Sequence, residues 1–291
     1  MSDHHLHLHA HNDSGVTHPA AEYRPGLIEE YVEQAATVGV TELGFTEHLY
    51  RCTEAAEALG RFWDVPGYPE LSAHTEAFVE ADRTLSLEEY VNVVLAAKDR
   101  GLPVQLGLEI DFFPESIDAV LELIEPYPWD FLIGSVHWIG PWAIDSSEVA
   151  WEFDRRGVDR AWSDYFELVE ALAGSGAVDV LAHVDVCKKY GHRPAAEPID
   201  MYAAVVEAAA LTGTAVEVSS QGLRNPAGEI YPSPRFLQMF HDAGVPVTLA
   251  SDGHIPQQAA WGHDEVASAA RAAGYVSRLS FDRRRRTPVP L

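Results

Sequence analysis

With 45 aspartates and glutamates against 20 lysines and arginines, this 291-residue chain has a formal charge of −25 at pH 7, which excludes nucleic acid and anionic membrane surfaces as main partners, since both require a basic footprint. An apolar share of 47% with 22% charged residues excludes global disorder and supplies a large core. No apolar run is long enough to span a bilayer, the N-terminal MSDHHLHLHAH lacks the charged and apolar parts of a signal peptide, and Cys52 and Cys187 give no disulfide framework, so a cytoplasmic protein is expected.

A first strand is predicted over residues 3–8, and His5, His7, His9 and His11 alternate with other residues near the start of the chain; a tag would be consecutive, so the run is read as part of the fold. PGLIEEYVEQAATVG (25–39) has helical periodicity, opened by Pro25 and closed by Gly39. A strand follows at 42–46, then an irregular stretch at about 50–85 containing Gly, Pro and Trp. A helix at 88–101, a strand at 104–108, a helix at 116–125 and a strand at 130–136 come next. A loop rich in Trp, Gly and Pro precedes a helix at 160–176. The alternation then continues as strand 178–182, helix 201–213, strand 214–219, helix 233–244, strand 245–250 and helix 257–273, with YVSRLSF as a possible last strand. Seven or so βα units imply a parallel sheet, and a closed barrel more than an open one. No linker or low-complexity segment interrupts 1–291, so a single α/β domain is expected, with 50–85 as a βα insertion of the kind that covers sites.

The informative fact is where the metal-ligand residue types fall. His5 and His7 share a face of the first strand. His48 follows the second strand in GFTEH, Glu109 the third in LGLEID, His137 the fourth in IGSVHW, and His183 the fifth in VLAH. Asp252 and His254 follow the last in LASDGH. In a barrel these C-terminal strand ends converge on one rim, where active sites form. A lone histidine after a strand is ordinarily a loop or core residue; eight ligand types at corresponding ends are not explained that way. Their mixed His/Asp/Glu character suits Zn, Mn or Fe rather than Ca or Mg. Eight or nine ligands suffice for two or three divalent ions if a carboxylate bridges, and Glu109 is the candidate bridge. His9 is read as a surface histidine. His11 and Asp13 lie in a turn.

In this order, DHHLHLH, GFTEH, LGLEIDF, IGSVHW, LAHVDVCKKYGHRP, SSQGLRNPAGEIYPSP and LASDGH resemble the polymerase-and-histidinol-phosphatase (PHP) superfamily, and most closely its monofunctional histidinol-phosphate phosphatases. The resemblance runs from residue 3 to RRRRTPVPL. It implies a distorted (β/α)7 TIM-like barrel with three metals at its C-terminal rim. It further implies one ion at His5, His7, Glu109 and Asp252, a second at Glu109, His137 and His183, and a third at His48, His254 and Asp13, with His11 as the alternative to Asp13. A carboxylate at the third position favours Mn or Fe. Ser219 stands where many relatives have Asn.

The implied reaction is hydrolysis of L-histidinol phosphate, a small phosphate ester, by a metal-activated water, as a step of histidine biosynthesis. Bound divalent ions would offset the acidic background locally. Lys188, Lys189 and Arg193, in the loop after His183, and Arg224, after the sixth strand, are candidate phosphate ligands or surface charges. Arg160, at a helix start, is a further candidate. Asp185, or a metal-bound water, is the candidate proton donor, with Arg193 assisting. Trp138 and Trp142 are core residues or walls around an imidazole. The run Arg283–Arg286 is read as a solvated tail or a partner of the acidic surface. Competing readings are another phosphomonoesterase or phosphodiesterase of this architecture, an amidohydrolase-type C–N hydrolase, and a non-catalytic metal-binding module. The second lacks the bridging lysine after a middle strand, a place that Glu109 takes.

Overall fold

The structure, a computed structural model, describes residues 1–9 and 23–291; the expectations for His11 and Asp13 lie outside the described residues. The chain runs β1 (Ser2–Leu6), α1 (Leu27–Ala36), β2 (Glu42–Phe45), α2 (Ala55–Leu59), α3 (Pro69–Asp82), α4 (Leu87–Asp99), β3 (Val104–Leu106) and β4 (Glu109–Asp111). It continues with α5 (Ile117–Ile124), β5 (Ile133–Ser135), β6 (Trp138–Ile139), β7 (Trp142–Ala143), α6 (Glu152–Arg156), α7 (Val158–Ser175) and β8 (Val180–Leu181). It ends with α8 (Ile199–Thr212), β9 (Ala215–Ser219), α9 (Pro234–Asp242), β10 (Val247–Ala250), α10 (His263–Ala272), β11 (Ser277–Asp282) and β12 (Arg285–Pro290).

Two parallel sheets, β1-β2-β3 and β10-β9-β8-β5-β4, close on each other. At one seam the His7 amide donates to the Gly253 carbonyl at 2.8 Å, beyond the end of β10. At the other, His48 bridges Glu109, so β3 and β4 act as halves of one strand broken at Gly107–Leu108. The result is a distorted TIM-like ring of seven strand positions. Its distortion has a packing cause. A Cβ at Gly107 would sit 2.7 Å from the side chains of Phe131 and Thr46, and one at Gly44 2.5 Å from Phe131. The two glycines admit the Phe131 ring, which stacks on Phe281 at 5.1 Å and joins Ile133, Val180, Ala182, Ala215 and Leu279 in a separate apolar plug.

The helices form the outer layer and bury their apolar stripes against the strands, as α7 does with Tyr165, Phe166, Val169 and Leu172. No described helix is long and apolar enough to cross a membrane. Two expectations change. Residues 50–85 contain α2 and α3. The Gly/Pro signal belongs only to the link between them, and α3 hides its periodicity because its buried stripe is Leu71, Thr75, Val79 and Asp82, half of it polar. Arg283–Arg286 is no solvated tail: Arg283 and Arg284 form a left-handed turn (φ 48° and 63°), and β11 and β12 pair antiparallel around it. This hairpin covers the N-terminal end of the barrel, with Gln105 donating to the Phe281 carbonyl at 2.7 Å.

Candidate metal centre

At the opposite end the strand termini deliver their side chains inward. β1 leads His5 and His7 into the barrel, where their Nε2 atoms lie 3.0 Å apart. The Glu109 carboxylate stands at the middle. Its Oε2 is 2.7 Å from His48 Nδ1, 3.4 Å from His5 Nε2 and 3.5 Å from His7 Nε2. Its Oε1 is 3.1 Å from His183 Nε2 and 3.7 Å from His137 Nε2. Asp252 Oδ1 lies 3.4 Å from His7 Nε2, 3.6 Å from His5 Nε2 and 3.6 Å from His254 Nδ1. Donor atoms gather within 4.8 Å of one another as His5–His7–Asp252, His5–Glu109–His183 and His7–His48–His254. The structure therefore brings together all eight rim residues singled out in the sequence. Glu109, which reaches five imidazoles, occupies the shared position.

This donor set fits divalent cations. Glu109 Oε2 and Asp252 Oδ1 are buried without a hydrogen-bond donor in good geometry among the described residues, a costly state unless a cation takes the lone pairs. Two positions are also strained: His183 (φ 26°) and Asp252 (φ 52°) adopt left-handed backbone, unusual outside glycine and typical of residues held for function.

A supporting layer of carboxylates aims the rings. Glu217, from mid-β9, accepts from His5 Nδ1 at 2.7 Å, and Asp111 from His137 Nδ1 at 2.6 Å, so both rings turn Nε2 toward Glu109. Glu47 takes His9 Nδ1 at 3.0 Å and the Leu8 amide at 3.2 Å. His9 is thus buried against Glu47, a correction to its reading as a surface residue. Asp3 anchors the strand end before Asp252 through the Ser251 hydroxyl and amide, at 2.6 and 2.9 Å. Gln221 donates its amide to Asp252 Oδ2 at 2.5 Å, and the Ser219 hydroxyl accepts the Gln221 amide N–H at 3.3 Å.

The sequence reading missed Glu217, Asp111 and Glu47. A signal existed: a glutamate inside the apolar run AVEVS, and an aspartate two residues after Glu109 on the same strand face.

Burial alone would raise the Glu109 carboxyl, but the imidazoles of His48, His5 and His137 outweigh it and hold the group well below the usual range. Burial would likewise raise Asp252, and His5 and His7 reverse it. Conversely, burial alone would lower His137; Glu109 and Asp111 reverse this and lift it to about 10. Binding of a cation to imidazoles and carboxylates is coupled to release of protons.

A cavity of about 320 Å³ opens over the cluster, lined by His48, His137, Asp252, His254, Gln221 and Lys189, and further out by Tyr50, Phe78, Asp82 and Trp138. Of the five cations expected at a phosphate, Lys189 alone lines it, 3.1 Å from Asp145 Oδ2. Lys188 is fully buried against Asp185 (2.7 Å), Glu229 (2.8 Å) and the Ile230 carbonyl (2.9 Å). Arg193 pairs with Glu229 at 3.0 Å away from the cavity. Arg224 donates to the carbonyls of Ser251 (2.6 Å) and Asp252 (2.9 Å), bracing the Asp252 turn. Arg160 is exposed on α7 and pairs with Asp164 at 2.6 Å. Asp185, expected as proton donor, is buried, does not line the cavity and accepts from Lys188 and the Ser233 amide. These placements share a cause: a charged residue near a strand end faces the rim or packs behind it, and spacing alone does not distinguish the two. Trp138 is a cavity wall; Trp142 is core, edge-on to Phe153 at 4.7 Å.

The sequence model of the PHP domain matches residues 5–221. A probable histidinol-phosphatase of Deinococcus radiodurans is 32% identical over 248 residues, covering 84% of this chain and 86% of that protein. A histidinol-phosphatase of Lactococcus lactis is 23% identical over 265 residues, with 88% and 85% covered. The crystal structure of histidinol phosphate phosphatase from Lactococcus lactis, complexed with zinc, L-histidinol and phosphate, shares the fold at a TM-score of 0.72 and 21% identity over 98% of both chains.

Proposed function

Since this chain belongs to the PHP domain family, we propose that it is a metal-dependent phosphomonoesterase that hydrolyses L-histidinol phosphate to L-histidinol and phosphate. The observation that carries this reading is the convergence of eight rim donors on one cluster beneath a cavity, with Glu109 shared among five imidazoles. The relatives of 32% and 23% identity are histidinol-phosphatases by name, and they support the choice of substrate.

We assign His5, His7, Glu109 and Asp252 to one divalent ion and Glu109, His137 and His183 to a second. His48 and His254 hold a third, completed by Asp13 or by His11. Zinc, Mn and Fe all suit these donors. The chemistry that such ions supply when bound is Lewis acidity, enough to bring the pKa of a water toward about 7 and to draw charge from phosphoryl oxygens. The chain's own residues do the rest. Glu217 and Asp111 fix ring orientation, so the donors need no rearrangement during reaction. Gln221 occupies Asp252 Oδ2 and leaves Oδ1 facing the histidines. Lys189 brings positive charge to the cavity wall, held by Asp145. Burial would raise the Asp145 carboxyl, but Lys189 and His137 keep it lowered. Tyr50 and Trp138, 5.1 Å apart and edge-on, keep bulk water from the ester.

The test is elemental analysis of protein purified without added metal, beside phosphate release from a panel of L-histidinol phosphate, nucleotides, sugar phosphates and a phosphodiester. Near-stoichiometric Zn, Mn or Fe is expected, with L-histidinol phosphate the best substrate. Chelation should remove turnover and metal should restore it. Undiminished turnover after stripping would end the metal mechanism, and a preference for nucleotides or diesters would end the substrate assignment.

A further inference from the structure

The cavity has two chemically different ends. The inner end is the histidine cluster. The outer end is formed by Tyr50, Phe78, Trp138 and Asp82, with Glu148 at the rim. The Tyr50 ring lies 5.3 Å from His48, and its hydroxyl donates to Asp82 Oδ2 at 2.8 Å. Asp82 therefore stands one tyrosine beyond the metal ligands.

Its contacts fall on one oxygen. The Asp82 side chain is 7% exposed, with Arg51 Nε 3.1 Å from the same Oδ2. Arg51 is itself shared, 3.5 Å from Glu47 Oε1, so one guanidinium serves two buried carboxylates. Glu47 has His9 and the Leu8 amide besides. Among the described residues, Asp82 has only Tyr50 and Arg51, both on Oδ2, which leaves Oδ1 without a partner. The other cation in the cavity, Lys189, is engaged with Asp145. A nearly buried carboxylate with a spare oxygen, beside three aromatic rings, suits a cation carried on or near a flat ring. A second anionic group there meets Asp82 and Glu148 and is repelled.

We propose that Asp82 is the specificity residue of this cavity: its carboxylate takes the cationic end of an amino-alcohol phosphate whose phosphoryl group lies among the histidines. This rests on the phosphomonoesterase reading above and names the residue that selects within it. Asp82 comes from the last turn of α3, so the insertion between β2 and β3 supplies selectivity to a rim built by the strands.

The test compares Asp82→Asn with the parent on L-histidinol phosphate and on p-nitrophenyl phosphate, which has no cation. The ratio of the two kcat/KM values should fall about tenfold or more, carried by KM for L-histidinol phosphate. L-histidinol affinity, read by calorimetry, should weaken by a similar factor. A ratio within about twofold of the parent, with both substrates slowed together, would mean that Asp82 only supports Tyr50 and Arg51, and would overturn the proposal. Should the variant not fold, the parent protein decides: the phosphate ester of an amino alcohol should outrun the ester of the same alcohol without its amine by a comparable factor, and parity overturns the assignment. A protein that cleaves p-nitrophenyl phosphate but not L-histidinol phosphate loses the proposed substrate, while the amino-ester pair still tests Asp82.

Discussion

Both ends of this barrel collect buried and half-buried carboxylates, and they treat them in opposite ways. At the N-terminal end three acids are closed by the protein itself. Asp130 meets Lys98 and accepts from the amides of Leu106 and Arg283. Asp179 accepts the Leu132 amide at 2.8 Å and pairs with Arg284 at 2.5 Å. Glu42 takes His4 at 2.7 Å, Ser280 at 3.1 Å and Arg278 at 3.5 Å. At the C-terminal end Glu109 faces imidazoles and Asp252 faces imidazoles and the Gln221 amide, and each keeps a buried oxygen without a donor in good geometry among the described residues. The first arrangement is complete and serves stability. The second is complete only with a cation, so it serves chemistry and is carried by the rest of the fold. The same residue type thus takes its meaning from whether the chain closes its valences.

The largest expected effect tests the open end. Glu109→Gln keeps shape and removes the charge that five imidazoles share. Turnover should drop about a thousandfold or more, while the variant still folds and loses most of the rise in melting temperature that added metal gives the parent. Phosphate-release kinetics and calorimetry read the two quantities. A variant that unfolds would make Glu109 a structural acid and erase the contrast between the ends.

The closed end should behave in reverse. Asp179→Ala strips the Leu132 amide of its acceptor and frees Arg284 and Arg286. Because both arginines are about a third exposed, solvent screens most of the ion-pair energy, and the orphaned buried N–H dominates. A loss of about 2 kcal/mol in urea unfolding is expected, with kcat/KM of the folded fraction within about twofold of the parent. A tenfold fall in kcat would show that the hairpin end reaches the metal end.

This contrast also explains what could be read from the sequence. The βα rhythm was legible because each strand is a short apolar run between helical stripes, and the rim ligands because strand ends in a parallel barrel share one side. His5, His48, Glu109, His183 and Asp252 needed no knowledge of side-chain direction. Lys188, Arg193, Arg224 and Asp185 did: they lie close to the rim in sequence but turn to Glu229, Ser251 and Ser233. Asp82 was invisible because α3 buries a half-polar stripe, and the spacing of its apolar residues does not reveal a helix. The hairpin closure was hidden in a basic run whose partners, Asp130 and Asp179, are about 150 and 100 positions away.

The smallest effect sharpens the closed end further, through acid. Burial would raise the Glu42 carboxyl, but His4 and Arg278 outweigh it and keep the folded-state value below the model-peptide one of 4.5. Between those two values the unfolded chain binds the proton and the folded chain does not, so stability there rises with pH. The contribution of Glu42 is therefore fully present above about pH 5 and disappears as pH falls through the folded value. Glu42→Gln removes the titration while keeping size and an acceptor for Ser280. The stability gap between parent and variant, about 1 kcal/mol for a partly exposed pair, should be fully present at pH 5 and close toward pH 3. A gap that persists at pH 3 would assign the role of Glu42 to its shape rather than its charge, and the closed end would owe its stability to the hairpin's packing instead of its ion pairs.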